Sequence, residues 1–146
     1  MKEPKIKDEE KQNHQEDISS KFKHYLIEKK YHVFVGKDSI NNDLLTTRFA
    51  KQNDFWFHAR SVSGSHVVLR IDNTKEVVPK SILKKVASLA AYHSKAKTAG
   101  IVPVSYTLKK YVAKRKSQSA GQVSLLKEEV LLVKPEIPSD ADYLIE

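Results

Sequence analysis

The sequence predicts an α+β domain, with a mostly antiparallel sheet of five or six strands, one long basic helix packed against it and one or two short helices. Two patterns lead there. Short runs of aromatic and β-branched residues are separated by turn residues, and one stretch keeps an apolar face at helical spacing. No internal repeat is present, and 146 residues suit a single domain with tails.

Residues 1–18 hold six acidic and four basic side chains and almost no large apolar residue, which predicts a disordered charged head. A short helix is expected over Ser20–Glu28, capped by Ser19 or Ser20, with Phe22, Tyr25 and Leu26 at helical spacing. Tyr31-His32-Val33-Phe34-Val35, stopped by Gly36, reads as a strand. Asn41, Asn42 or Asp43 can cap a second short helix through Leu44, Leu45, Arg48, Phe49 and Ala50. Phe55–His58 and His66–Ile71 read as a hairpin turned by Val62-Ser63-Gly64-Ser65. Pro79 suits the first turn of the long helix, whose apolar face runs through Ile82, Leu83, Val86, Leu89, Ala90 and Tyr92 to an end near Ala99-Gly100. Further strands are expected at Ile101–Tyr106, Gln122–Leu126 and Val130–Val133, while Leu108–Val112 fits either class. Pro135 and Pro138 then open an acidic tail, so the expected domain spans 19–135 and the tail 136–146.

The formal net charge of +8 is unevenly placed. Between Glu76 and Glu128 there is no acidic residue, and residues 77–127 carry eleven Lys or Arg, which leaves −3 for everything else. A run of lysines is often only a solvated face, but a face shaped by solubility alone normally mixes signs, so a polyanion is the expected partner. The lack of cysteine excludes a disulfide framework, a thiolate zinc cluster and a Cys nucleophile. No apolar run reaches the roughly 20 residues of a membrane span and no signal-peptide core opens the chain, so a cytoplasmic protein without a transmembrane segment is expected.

In a strand, Phe55 and Phe57 point to one face and Trp56 and His58 to the other. Trp56 is therefore either core or a platform on which an unpaired base stacks. His58 and His66 can approach each other across the hairpin; without a third ligand they read as a hydrogen-bonded pair, with no metal implied. Gly64-Ser65-His66 fits a plain hairpin turn or a phosphate-accepting nest equally well. Asn42 and Asp43 read as helix caps, and although Asp54, Ser65 and His66 supply the residue types of a triad, no catalytic set assembles from the spacing.

These same segments carry a resemblance. Val35-Gly36, Asn42-Asp43-Leu44-Leu45-Thr46, Asp54-Phe55-Trp56-Phe57-His58-Ala59 and Gly64-Ser65-His66-Val67 resemble, in order, the motifs of the NFACT-R domain. Ala90-Ala91-Tyr92-His93-Ser94-Lys95-Ala96 is similar to its helix end, and Val102-Pro103-Val104-Ser105-Tyr106-Thr107 to its VPVDYT strand. The resemblance covers about residues 20–135. It departs at Ser105, which replaces the usual Asp, and at Ala113–Gly121, which lacks the family's prolines and carries Lys114-Arg115-Lys116 instead.

NFACT-R is the C-terminal module of RqcH, NEMF and fibronectin-binding-protein-A-like proteins of ribosome-associated quality control. The resemblance implies a free-standing RNA-binding module that contacts rRNA or tRNA on the large ribosomal subunit, with a separate chain supplying other quality-control domains. It implies no chemistry and no cofactor. Phosphates would be met by Lys84, Lys85, Lys95, Lys97, Lys109, Lys110, Lys114, Arg115 and Lys116, with Trp56, His58, Arg60, Ser65 and His66 as the shaped part of the surface. The motif positions are Asn42, Asp43, Thr46, Asp54, Trp56, His58, Gly64, Ser65, His66, Ser94 and Lys95. The alternatives are a module that docks on a ribosomal or coiled-coil protein, or a general binder of DNA or anionic membrane.

Overall fold

A computed structural model describes residues 18–145, so all of the expected charged head except Ile18 lies outside the described residues. The elements are β1 (Lys23–Ile27), β2 (Tyr31–Val35), α1 (Ser39–Asp43) running into a π-helical segment (Leu44–Phe49), β3 (Phe55–Ala59), β4 (Val67–Leu69) and α2 (Lys80–Tyr92). They continue with β5 (Val102–Leu108), a 3-10 turn (Lys109–Tyr111), β6 (Val112–Ala113), β7 (Ser124–Leu125), β8 (Glu129–Val133) and β9 (Ala141–Leu144). Seven strands make one sheet in the order β8-β5-β3-β4-β2-β1-β9 with every pair antiparallel, and β6 and β7 form a separate small hairpin.

The α+β class holds, with more strands than expected and for two identifiable reasons. The segment expected as a helix over Ser20–Glu28 is strand β1. It folds back on β2 through Glu28 and Lys29, both at positive φ (52° and 57°), where Lys30 N–H donates to the Ile27 carbonyl at 3.1 Å. No glycine or asparagine marks that turn, so the sequence concealed it. The acidic segment expected as a tail supplies β9, which pairs with β1 from Ile27↔Ala141 to His24↔Leu144. Helix α2 stops at Tyr92, short of Ala99-Gly100. Helix α1 begins at an Asp38 cap whose side chain accepts from Asn41 N–H at 2.8 Å, so Asn41, Asn42 and Asp43 are released from capping.

The sheet is covered on both faces, which is why its strands read as nearly unbroken apolar runs. One face sets Ile27, Val33, Val35, Phe57, Val67, Leu69, Val104 and Leu131 against Ile82, Val86, Leu89 and Ala90 of α2. Each large side chain buried there contributes about 1.5–3 kcal/mol. The other face sets Phe34, Trp56 and Val68 against Phe22, Leu45 and Phe49, with Val112, Val123 and Leu125 of the small hairpin packed on that cluster. The segment between β6 and β7 is therefore held against the second face.

Candidate nucleic-acid interface

The residues of the Asn-Asp-Leu-Leu-Thr, Asp-Phe-Trp-Phe-His and Gly-Ser-His segments meet on the second face in one chain of hydrogen bonds. Gly121 C=O can only accept, so His66 Nε2, 2.9 Å away, carries a proton and donates to it. In the neutral ring Nδ1 is then the acceptor, and Thr46 O–H donates to it at 2.7 Å while Thr46 Oγ1 accepts from Trp56 Nε1–H at 3.0 Å. Burial, helped by the neighbouring His58, holds the His66 imidazole down to about 4, which keeps that ring neutral at pH 7. His66 N–H donates to Asn42 Oδ1 at 3.1 Å. Gly121, at φ 83°, donates its own N–H to Asp43 Oδ1 at 2.9 Å, and Lys114 Nζ sits 3.2 Å from the same oxygen.

That chain corrects two expectations. Trp56 is 2% exposed and edge-on to His66 (79° between rings), so it presents no face to a base. His66 is equally buried and both ring nitrogens are engaged, so it is a strut beneath the surface and not part of it. The π-helical segment and the small hairpin cover the Trp56 ring, since Leu45, Phe49, Val112 and Leu125 pack in its cluster. Asp54 serves a different joint. Its buried carboxylate accepts from Arg70 Nε at 3.0 Å, Lys51 N–H at 2.8 Å and Ile71 N–H at 2.9 Å, and Arg70 lies over the Phe49 ring. This joint sits at the opposite end of β3 from Ser65 and His66, so the three residues form no triad.

Two grooves flank the Ser65–His66 step. One, of about 400 Å³, is lined by Lys37, Ser39, Ser65, His93, Ser94 and Lys95. Its walls are joined by the isolated bridge between Gly64 and Ser94 and by Ser65 N–H donating to the His93 carbonyl at 2.9 Å. The local field is positive. His93, whose Nε2 is hydrogen-bonded with the Tyr25 hydroxyl at 2.9 Å, is held down to about 4 by burial first and then by Lys23 and Lys97. Asp38 also lines this groove, where it is committed to the α1 cap. The second groove, of about 520 Å³, has Trp56 and His66 in its floor and His58, Arg60, Ser105, Gln118 and Gln122 in its walls. The departure at Ser105 falls in this wall, directly across from His58 in the β3–β5 register. Burial also pushes His58 below the usual imidazole value.

The basic block does not form one surface. Lys85 is paired with Glu28 at 2.8 Å and Asp140 at 2.5 Å, acids that sequence distance hid, and is corrected from phosphate ligand to a tie between α2, the β1–β2 turn and the segment before β9. Lys114 is bound to Asp43 and to the Ser119 and Gln122 carbonyls, which makes it the clasp of the 113–121 loop. Lys84, Lys95, Lys97, Lys109, Lys110, Arg115 and Lys116 have no ion pair among the described residues. Lys109 and Lys110 stand at the start of β3, their backbone N–H groups donating to Asp54 and Gln52, whereas Lys95 donates to Ser63 beyond its end. Sequence reasoning missed Lys37, which lies outside the 77–127 block and reaches the groove only because α1 starts beside Gly64.

A two-face sheet whose buried polar scaffold fixes a basic loop beside a cation-lined groove defines a class of domain, and known proteins share it. Residues 21–127 match the model of the NFACT protein RNA binding domain, and the chain belongs to that family. It is 37% identical over 113 residues to the Rqc2 homolog RqcH of Bacillus subtilis, covering 77% of this chain and 18% of that protein. The Streptococcus suis Rqc2 homolog RqcH is 36% identical over 130 residues, covering 86% of this chain and 23% of that protein. Mouse coiled-coil domain-containing protein 25 is 32% identical over 66 residues, 44% of this chain and 31% of that protein. The C-terminal of the fibronectin/fibrinogen-binding protein from Streptococcus suis superposes with a TM-score of 0.73 at 35% identity, covering 80% of this chain and 46% of that one. The chain thus spans less than a quarter of the length of the RqcH proteins it matches. No helix among the described residues is long and apolar enough to cross a membrane.

Proposed function

We propose that this chain is a cytoplasmic RNA-binding module of ribosome-associated quality control, that it attaches to rRNA or tRNA on the large ribosomal subunit, and that it binds without chemistry of its own. Membership of the RNA-binding family supports this, and the observation that carries it to a place on the molecule is the groove holding Lys37 and Lys95. Cations without acidic partners hold phosphate, while a fixed loop and groove set register. Lys37, Lys95 and Lys97 serve the groove, and Arg115 and Lys116 serve the loop that Asp43 and His66 hold in place. Lys84, Lys109 and Lys110 lie apart and contribute long-range attraction.

If each of those five cations neutralises one phosphate, affinity falls about 100- to 500-fold between about 50 and 200 mM salt. Replacing Lys95 and Lys97 together by Ala weakens binding and lowers the salt slope by about two; replacing Lys109 and Lys110 leaves the slope nearly intact. A salt-independent affinity for ribosomal RNA and tRNA refutes the reading, as does binding to the ribosome that survives nuclease and high salt. Loss of the RNA during incubation with magnesium refutes the absence of chemistry.

A further inference from the structure

The two edges of the sheet are treated differently. At one edge β9 is four residues long, Asp142 is tied to Lys29 at 2.7 Å and Tyr143 packs on Tyr25 with ring centroids 5.1 Å apart. At the other, β8 pairs only with β5, and no other backbone hydrogen bond reaches it among the described residues. Its residues facing the second sheet face, Val130 and Leu132, are 37% and 70% exposed. An open edge with apolar side chains and no charge between its ends is a template for another strand, and natural sheets normally blunt such an edge.

We infer that β8 is the seam of a symmetric dimer, in which a second copy of this chain adds its own β8 in antiparallel register about a two-fold axis at Leu131. The local sequence is complementary to itself in that register. Glu128 falls opposite Lys134, Glu129 opposite Val133 and Val130 opposite Leu132, so the symmetric pairing sets two Glu128–Lys134 contacts at the ends of an apolar stripe. Shifting the register by one residue sets Lys134 opposite Lys127, or opposite a Glu129 that already accepts from Tyr106 O–H, and in both cases opposes side chains from different sheet faces, as Leu131 with Val130 or with Leu132. Directly opposed residues point to the same face, so the exposed Val130 and Leu132 of one copy cover Leu132 and Val130 of the other.

The dimer also has a consequence for the grooves. Ser105 is the register partner of Val130 and His58 that of Ser105, so the second groove lies two strands in from the seam. The two copies of this groove then face the same way across about five strand spacings, roughly 24 Å.

The test uses the whole chain free of nucleic acid. Sedimentation over a wide concentration range shows a reversible monomer–dimer equilibrium. Glu128→Lys and Lys134→Glu, each alone, convert two attractive contacts into repulsive ones and weaken dimerisation about tenfold; the double exchange restores it. Because the chain has no cysteine, register is read directly. A mixture of Val130→Cys and Leu132→Cys proteins forms the mixed disulfide in preference to either homodimer. A monomer at every concentration overturns the inference, as do a double exchange no better than the singles and a mixture that crosslinks at random.

Discussion

Thr46→Val isolates the scaffold that connects the motif segments to the basic loop. Valine keeps the shape of threonine and removes one oxygen. That oxygen accepts from Trp56 Nε1–H at 3.0 Å and donates to His66 Nδ1 at 2.7 Å, so the change strands two polar groups in residues that are each 2% exposed. A buried group left without its partner costs about 1–3 kcal/mol, so the pair predicts a loss of about 2–6 kcal/mol. Whole domains are commonly stable by about 5–15 kcal/mol, so the loss is a large fraction of the total and shifts the unfolding midpoint measurably. Trp56 is the only tryptophan in the chain and sits inside the perturbed network, so its fluorescence in a urea titration reports the loss without a label. Thr46→Ser is the control. It keeps the hydroxyl, gives up one methyl and costs about 1 kcal/mol. Equal losses for valine and serine, or a loss for valine below about 0.5 kcal/mol, would show that packing and not hydrogen bonding holds this face together.

Other perturbations probe other joints. Acid acts on His66. Its folded value of about 4 lies below the 6.5 of an unperturbed imidazole, so the unfolded chain takes up the proton first and stability is lost as pH falls from about 6.5 to about 4. The limit for this one ring is about 3 kcal/mol, read from urea midpoints across that range as the part of the acid-dependent loss that His66→Gln removes, the remainder coming from His24 and His93, whose values are also held down to about 4. Arg70→Met leaves the buried Asp54 carboxylate without its cation and costs about 3–5 kcal/mol by thermal denaturation, whereas exchanging both for apolar residues costs less. Gly36→Ala places a methyl carbon 1.9 Å from Asn42 Oδ1, expels that side chain from His66 N–H and costs about 1–3 kcal/mol of stability by the same measurement. Asp43→Asn weakens the hold on Gly121 and Lys114, and hydrogen exchange of the 113–121 amides rises while the α2 amides stay protected.

Much of the candidate site was legible because its residues carry chemistry that backbone pattern alone does not need. A buried Asp before a Trp strand, a Gly-Ser-His return and an Asn-Asp pair ahead of Leu-Leu-Thr are costly to place anywhere without partners, and the structure supplies those partners within the set itself. What they do there was not legible. Trp56 on an alternating strand is equally a base platform or a core residue until the covering layer is known, and that layer comes from residues 44–49 and 112–125, distant in sequence. Lys85 shows the same limit for charge. Its acids come from residues 28 and 140, so a segment free of acid in sequence is not free of acid in space.

Local pattern was enough for the α+β class, the β3–β4 hairpin, helix α2 and the concentration of positive charge in 77–127. Each of these depends on period, turn chemistry or composition within a few residues. Long-range pairing settled the rest. Whether Lys23–Ile27 extends or coils depends on β2 and β9 lying on either side of it, and 141–144 orders because β1 offers a free edge. Which cations face solvent unpaired depends on where the acids of other segments come to rest. Backbone hydrogen bonds and ion pairs are completed across the sheet, so their partners appear only once the chain has folded.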